Sequence, residues 1–447
     1  MTLSPEIFRS YDIRGVIPSE LDAEGAEKIG AAFVVAIKAG VVVVGRDMRK
    51  SGDQLTPAVI KGITAQGADV VEVGKVTTPL LYFSVWQANA AGGVMVSASH
   101  NPAEYNGFKL TKAQAVPIGK ESGLEEIKKL ALSTPLPPAS RQGKVISANY
   151  TAPYLAYATR GVERINKHLR IVIDFGNGAV GFLREPLLER LPTQTLTQCE
   201  EPDGSFPHHE ANPLKEENVK DLQARVREEK ADLGAAFDGD GDRVGFVDEQ
   251  GEIVPGDLVT ALLAQEILRD HPGTKIIYDV RCSRVVAEAI QAAGGVPVLG
   301  KVGHANIKAQ MRQEQAVFAG ELSSHFYFDD YYFESGIKAL TLLLLLRSRA
   351  NKPLSALVAP LRKYAKAPEM NFAIEDKAEA IKMLQARYRD GEQLTLDGLT
   401  VSYPDWWFNV RPSGTEPLLR LNIEANTAEL LEKKKEELFA LLGNPTA

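Results

Sequence analysis

The sequence predicts a multidomain α/β protein, with three α/β units in succession and a smaller α+β unit at the C-terminal end. Three observations carry that expectation. Short aliphatic runs such as Val41 to Val44, Arg170 to Ile173 and Lys275 to Tyr278 alternate with stretches of helical period. This is the pattern of a mainly parallel sheet crossed over by helices. From residue 365 on the pattern changes to short strand signals around Trp406-Trp407-Phe408 and one charged helix. The 447 residues are also too many for one core and suit three or four domains.

In chain order, helical period covers Asp22 to Ile37, Thr56 to Gln66, Ala152 to Asn166, Glu216 to Glu229, Asp257 to Arg269, Ser283 to Ala293 and Thr427 to Leu442. Strand signals cover Val41 to Val44, Asp69 to Val73, Gly93 to Val96, Arg170 to Ile173, Ala231 to Ala236, Lys275 to Tyr278, Val296 to Leu299, Leu399 to Tyr403 and Leu419 to Glu424. The aliphatic run Leu340 to Leu346 is far too short for a membrane span and reads as a buried helix. Breaks near Ser133 to Ala139, Glu249 to Pro255 and Leu361 to Glu369 divide the chain into residues 1–147, 148–251, 252–364 and 365–447. An internal echo links the first and third units. Asp47, Arg49 and Ser51, then Gly74-Lys75-Val76, then Ser97 to His100 recur in the same order as Asp279, Arg281 and Ser283, Gly300-Lys301-Val302 and Leu322 to His325.

Composition excludes several classes of function. With 44% hydrophobic and 24% charged residues the chain is an ordinary globular protein, and a net charge of −7 offers no field for nucleic acid or an anionic membrane. An anionic substrate must be met by locally placed Arg and Lys. Two cysteines, Cys199 and Cys282, allow no disulfide framework and fit a reducing cytoplasm. The first residues lack the basic and apolar regions of a signal peptide.

Chemistry concentrates in loops after strand signals, where open α/β sheets bind ligands. Phe237-Asp238-Gly239-Asp240-Gly241-Asp242-Arg243 alternates three carboxylates with two glycines, which lets the carboxylates converge. Oxygen ligands without His or Cys suit a hard cation such as Mg²⁺. A calcium-binding EF-hand requires glycine where Arg243 stands and a helix where an apolar strand precedes the loop. In Ser97-Ala98-Ser99-His100-Asn101-Pro102, Ser99 fits a phosphate carrier, a hydrolase nucleophile or a capping hydroxyl, although the loop is no nucleophile elbow. The Asp loop weights this choice, because a cation held by three carboxylates suits a phosphoryl group. Arg411-Pro412-Ser413-Gly414-Thr415-Glu416-Pro417 offers a guanidinium, two hydroxyls and a loose backbone, either as an anion receptor or as a plain strand connection. Gly320-Glu321-Leu322-Ser323-Ser324-His325 carries groups that match sugar hydroxyls, whereas His304 and His325 by themselves read as structural.

Together these four loops resemble the α-D-phosphohexomutase family, in particular its phosphomannomutase/phosphoglucomutase group, and the resemblance runs over essentially the whole chain. Phe8 to Gly15 and Gly45 to Arg49 match its opening segments as well. The resemblance implies four domains around a central cleft, the last of them α+β and TATA-binding-protein-like. It implies that Ser99 is phosphorylated and that Asp238, Asp240 and Asp242 bind Mg²⁺ together with the Ser99 phosphate. Tyr11, Arg14 and Arg243 would lie near phosphoserine or substrate, Lys109 and His325 would transfer protons, and His304 would line the cleft. Glu321 and Ser323 would grip the sugar, and Arg411, Ser413, Gly414 and Thr415 the phosphate that is not transferred. Arg281 stands where hexose enzymes of the family commonly carry Lys, a change that keeps the charge and alters its shape.

The expected reaction interconverts hexose 1-phosphate and 6-phosphate, of mannose or glucose, through hexose 1,6-bisphosphate. Phosphoglucosamine mutase and phosphopentomutase are the neighbouring alternatives, and a Mg²⁺-dependent sugar phosphatase is the rival from another class. The expected partner is a small phosphosugar, not nucleic acid or membrane, for a cytoplasmic protein acting as a monomer or a dimer.

Overall fold

The strand ends that carry the candidate loops belong to one sheet design used three times. The computed structural model describes residues 3–133, 136–166, 168–413 and 418–446. In the first unit β1 (Ile13–Val16), α1 (Ala23–Ile37), β2 (Val41–Arg46), α2 (Gly52–Ala65), β3 (Asp69–Lys75), α3 (Thr78–Gln87), β4 (Gly92–Val96), β5 (Tyr105–Lys112), α4 (Leu124–Leu132) and β6 (Val145–Ser147) form a sheet of order β1-β5-β4-β2-β3-β6. Local sequence sets the ends of α1: Asp22 accepts from Gly25 N at 2.9 Å, and Lys38 closes the helix in a left-handed conformation.

The second unit contains α5 (Thr151–Ala158), β7 (Arg170–Asp174), α6 (Arg184–Leu188), β8 (Gln194–Gln198), α7 (Glu216–Glu228), β9 (Leu233–Phe237), β10 (Val244–Asp248) and β11 (Ile253–Val254), in the order β11-β10-β9-β7-β8. The third contains α8 (Gly256–Asp270), β12 (Lys275–Asp279), α9 (Val285–Ala292), β13 (Val296–Gly300), α10 (His304–Glu314), β14 (Phe318–Gly320), β15 (Phe326–Phe328), β16 (Phe333–Glu334), α11 (Gly336–Ala350) and α12 (Leu354–Val358), in the order β13-β12-β14-β15-β16. Strands β3-β2-β4-β5-β1, β8-β7-β9-β10-β11 and β13-β12-β14-β15-β16 therefore correspond one to one. In each set the first two pairings are parallel and the last two antiparallel. The internal echo between the first and third units is thus a shared fold, and the second unit shares it too.

The sheets are mixed: the first has three parallel pairings against two antiparallel, and the second and third have two of each. The connections from β4 to β5, β9 to β10 and β14 to β15 are too short for a crossover, which forces antiparallel pairing. The helix expected over Ala152 to Asn166 stops at Ala158, because Gly161 turns into the left-handed region at φ 90° before a short 3₁₀ turn. Helices α3, α4, α6, α10 and α12, and the helix Lys377–Arg387 of the last unit, fall outside the stretches of helical period read from the sequence.

The last unit, β17 (Ala365–Lys366), β18 (Met370–Phe372), α13 (Lys377–Arg387), β19 (Glu392–Leu394), β20 (Leu399–Ser402), β21 (Trp406–Pro412), β22 (Leu419–Ala425) and α14 (Ala428–Leu442), is an antiparallel sheet with two helices. One apolar core joins the first three units, and α11 lies within it, with Leu340, Leu343 and Leu344 fully buried. The last unit has its own core around Trp406, Phe408 and Leu438.

Helices α1 and α2 touch through glycines. A Cβ on Gly62 would stand 2.0 Å from Glu27 O, and one on Gly30 2.3 Å from Val59 O. Helix propensity alone makes Gly62→Ala stabilising by about 0.8–1.0 kcal/mol. The steric conflict with backbone makes it destabilising, by about 1–3 kcal/mol net. Urea unfolding should show the loss, and a gain would mean that the two helices part freely.

Candidate active site

Strand β9 delivers Phe237 to the cleft, and residues 238–243 turn back into β10. The ligand oxygens of Asp238, Asp240 and Asp242 lie within 4.8 Å of one another, and all three side chains are buried. The loop wraps its first carboxylate, with Asp238 Oδ1 accepting from Gly241 N at 3.0 Å and Arg243 N at 3.1 Å. Thr78 at the N-terminus of α3 donates to Asp240 twice, from N to the carbonyl at 2.9 Å and from Oγ1 to Oδ2 at 2.6 Å. The helix dipole there favours the negative charge. Lys109 on β5 bridges Asp240 Oδ2 at 2.6 Å and Asp242 Oδ2 at 2.5 Å.

Two buried oxygens, Asp240 Oδ1 and Asp242 Oδ1, have no hydrogen-bond partner among the described residues. Burial and the charges of Asp242 and Asp240 push the Asp238 carboxyl well above its usual range. Burial acts against charge on Asp242 too, but Lys109 and His325 outweigh it and hold its carboxyl low. Lys109 is pushed up in turn, because Asp240 and Asp242 outweigh its burial. An all-oxygen donor set with orphaned lone pairs and surplus negative charge fits a hard divalent cation, Mg²⁺ above all.

Ser99 meets this loop from the end of β4. Its Oγ donates to Asp238 Oδ2 at 2.9 Å and lies 3.2 Å from His100 Nδ1. The residue holds φ of 50°, a left-handed conformation that costs a side-chain-bearing residue about 1–3 kcal/mol. Its surroundings hold it there. Ser99 N donates to Ser97 Oγ at 2.9 Å, and Ser97 Oγ to Asp47 Oδ2 at 2.7 Å. The fully buried Arg49 guanidinium donates to the carbonyls of Ser99, Asn101, Pro102 and Tyr105 at 2.8, 2.5, 2.7 and 2.9 Å. Gly239 permits the approach of the two loops, since a Cβ there would lie 2.4 Å from Ser99 O. Arg14 pairs with Asp12 at 2.8 Å and reaches Asn101 Oδ1.

The third unit closes the other side. Arg243 and His325 form a β-bridge, and Arg243 Nε lies 3.1 Å from His325 Nε2. Burial and the Arg243 charge oppose a charged His325 ring, but Asp242 and Glu321 outweigh them and raise its pKa to about 9. The same Nε2 also lies 3.4 Å from Asp242 Oδ1, so a neutral ring can accept from Arg243 and a protonated one can pair with Asp242. Its Nδ1 lies 3.2 Å from Glu321 Oε2 and 3.0 Å from Ser323 Oγ. Glu321 accepts from Gly303 N at 2.8 Å and Tyr327 Oη at 2.6 Å. Arg281 is gripped by both oxygens of Asp279, at 3.0 and 2.8 Å, and extends to Ser323 Oγ at 3.4 Å and Glu321 Oε1 at 3.6 Å. Burial and Lys308 keep His304 neutral, with its ring edge-on to Tyr11 at 5.8 Å.

On β21, Arg411 is 5% exposed and reaches Glu369 at 3.3 Å, while burial and nearby Arg281 press its pKa down. Ser413 N donates to Leu418 O at 2.8 Å, which closes the base of the loop. Gly414 and Thr415 lie outside the described residues. The Ser99, acidic and Glu321 loops thus face one another, and Arg411 lies close enough to Arg281 for their charges to repel. Sequence reasoning missed Thr78, Tyr327 and Glu369, and it placed Asp47 and Arg49 in a repeat and in a family-like opening segment without giving either a role. Thr77-Thr78-Pro79 was a readable helix start, with Thr77 capping Leu80 N at 3.2 Å and Pro79 in the first turn.

Comparison with known proteins decides the family. Family models described as phosphoglucomutase/phosphomannomutase α/β/α domains I, II and III match residues 5–135, 152–251 and 255–364, and the model of the C-terminal domain matches residues 369–441. The chain belongs to the phosphoglucomutase/phosphomannomutase family. A phosphomannomutase of Methanocaldococcus jannaschii is 37% identical over 98% of this chain and 97% of its own length. A phosphomannomutase/phosphoglucomutase of Pseudomonas aeruginosa is 38% identical over 97% of this chain and 95% of its own. The crystal structure of a Burkholderia thailandensis family protein superposes with a TM-score of 0.91 at 34% identity, covering 99% of both chains. Membership makes this chain an enzyme of the isomerase class, a hexose-phosphate mutase.

Arg49 positions Ser99 through main-chain carbonyls, and a lysine ammonium cannot span four of them in one plane. Arg49→Lys is expected to lower mutase kcat/KM about 100-fold by misplacing Ser99. Divalent-cation affinity, measured by calorimetry, should stay unchanged. Equal losses in both would show that Arg49 supports the Asp loop instead.

Proposed function

We propose that this mutase interconverts hexose 1-phosphate and hexose 6-phosphate, with mannose and glucose as its sugars, through a phosphoserine at Ser99. The carrying observation is the Ser99 hydroxyl, held in a strained left-handed turn 2.9 Å from the first carboxylate of a buried acidic loop. In this reading phosphorylated Ser99 gives its phosphoryl group to the free sugar hydroxyl and forms hexose 1,6-bisphosphate. The bisphosphate then turns over and returns its other phosphoryl group to Ser99. The relative from Pseudomonas aeruginosa, named for both mannose and glucose, supports the pair of sugars.

Each residue has a part in that scheme. Asp238, Asp240 and Asp242 hold Mg²⁺ with the Ser99 phosphate, and the ion supplies neutralisation of charge on the phosphoryl oxygens. Arg243 and Arg14 add positive charge near the same oxygens. Lys109, pinned as an ammonium by two carboxylates, acts first as a fixed charge and moves a proton only when that pairing loosens. His325, with Nε2 beside both Arg243 and Asp242, is placed to exchange a proton. Glu321, Ser323 and Arg281 grip the sugar, with Tyr11 and His304 lining the cleft. Arg411, Ser413, Gly414 and Thr415 receive the phosphate that stays.

Two unpaired cysteines support a cytoplasmic setting, and no helix among the described residues is long and apolar enough to cross a membrane. We take residues 1–147, 148–251, 252–364 and 365–447 as the units that meet at the cleft.

Phosphorus NMR with Mg²⁺, catalytic glucose 1,6-bisphosphate and each sugar 1-phosphate in turn tests the reading. Mannose and glucose substrates should give 6-phosphates without inorganic phosphate, and Ser99→Ala should lose both turnover and the phosphorylated mass. Release of inorganic phosphate as the main product would overturn it.

The His325 shift gives a pH test. Its pKa is raised to about 9, so the ring keeps its proton through neutral pH and loses it above that value. Where the imidazolium donates that proton, kcat should fall about tenfold per unit above pH 9. His325→Gln should be slower and lack this alkaline limb. An unchanged limb in the variant would assign it to another group.

A further inference from the structure

A second group of ligand-type side chains lies in the second unit, outside the acidic loop. Asp174 ends β7, Cys199 follows β8, and His209 projects from the connection to α7. A carboxylate oxygen, the thiol sulfur and an imidazole nitrogen from these residues lie within 4.8 Å of one another. His209 Nε2 is 3.1 Å from Asp174 Oδ2 and 3.6 Å from Cys199 Sγ. The other ring nitrogen, Nδ1, faces the Glu210 carbonyl at 2.9 Å. A carbonyl only accepts, so Nδ1 carries hydrogen, and Nε2 faces the Asp174–Cys199 side, where it becomes a ligand once its proton leaves. Asp174 is itself anchored, with Oδ1 accepting from Gly176 N at 2.8 Å and Oδ2 from Gln198 Nε2 at 2.7 Å. A ligating imidazole backed by a carbonyl and an oriented carboxylate are the supports that metal ligands ordinarily receive.

We propose that Asp174, Cys199 and His209 bind a borderline-soft divalent cation, Zn²⁺ in the first place, at a site chemically distinct from the Mg²⁺ loop. Sulfur and nitrogen donors select against Mg²⁺, and three protein ligands leave a fourth tetrahedral position for water. On binding, the Cys199 thiol and the His209 Nε2 each give up a proton to solvent as the sulfur–metal and nitrogen–metal bonds form. The site braces a loop that supports both halves of the active site. Asn177 N donates to Cys199 O at 2.7 Å, and Gly239 N in the acidic loop donates to Ala211 O at 3.1 Å. Phe206 from the same loop lies under the Arg49 guanidinium at 5.3 Å. The competing state holds no metal: burial works against charge on His209, but hydrogen bonds to Asp174 and Cys199 outweigh it and raise its pKa to about 11.

The test uses full-length protein stripped with chelator and titrated with Co²⁺ under excess Mg²⁺, which keeps the acidic loop filled. One equivalent of Co²⁺ should produce a near-ultraviolet thiolate-to-metal band, and Zn²⁺ should bleach it. Only two cysteines are present. Cys199→Ala should therefore abolish the band and weaken binding at least about 10-fold, while Cys282→Ala keeps both. A missing band in the unmodified protein, or a band that survives Cys199→Ala, would overturn the proposal. Should Cys199→Ala fail to fold, thiol alkylation mapped by mass decides the matter on the unmodified chain. Stoichiometric Zn²⁺ should slow labelling of Cys199 at least about 10-fold, and unchanged labelling would equally overturn the site.

Discussion

Two carboxylates about 4 Å apart in a protein with an effective dielectric near 20 repel by about 4 kcal/mol, and the acidic loop buries three of them together. The answers to that repulsion come from every direction. Lys109 and the helix end at Thr78 come from the first unit, Arg243 and the loop's own N–H groups from the second, and His325 from the third. The countering groups are thus spread over all three units rather than gathered in one. The shared apolar core of these three units is therefore more than packing, because it fixes the spacing on which the charge balance rests.

The fourth unit follows other rules. Its core is its own, and its links to the third unit are largely polar: Lys366 to Asp257 at 2.5 Å, Val302 N to Asp397 at 2.9 Å, and Arg284 to the carbonyls of Tyr403 and Pro404 at 3.2 and 3.1 Å. Interfaces of that kind permit relative motion between domains, whereas broad apolar ones resist it. Ser99 and Glu321 are each 1% exposed here, so a sugar phosphate needs such motion to enter. In the proposed scheme, the phosphoryl-transferring groups then sit on the rigid part and the receptor for the retained phosphate on the part that can move.

Much of this was legible in the sequence, for a definite reason. The acidic loop, the Ser99 loop and the Glu321 to His325 loop are contiguous, and each carries its chemistry within a few residues. What stayed hidden depends on contacts distant in sequence. Arg49 reads as one more charged loop residue until its guanidinium is seen on carbonyls some fifty residues away. Tyr327 and Glu369 act as fixed partners of Glu321 and Arg411, and nothing local marks them. Helix α3 escaped because its residues are buried on every side, which erases the helical period that a half-exposed helix displays. The mixed sheets escaped because alternation of strands and helices does not reveal the short hairpins at one edge.

The threefold sheet shows how one scaffold position acquires three uses. Asp47, Asp174 and Asp279 stand at corresponding strand ends, and each accepts a hydrogen bond from the backbone N–H two residues on, at 2.9, 2.8 and 2.7 Å. That turn aims residues 49, 176 and 281 at the cleft. Arg49 directs its donors to the main chain and holds the Ser99 loop. Arg281, gripped by its Asp, turns its remaining reach towards Glu321 and Ser323 and keeps a positive charge in the cleft. In the second unit the position is Gly176, at φ 56°, where a Cβ would stand 3.1 Å from Phe237 O and 3.2 Å from Ala211. A long cation there would occupy the space of the acidic loop's own backbone. The second unit must therefore leave this position empty in order to carry the carboxylates, and Lys109 and His325 from the neighbouring units add positive charge beside Arg243.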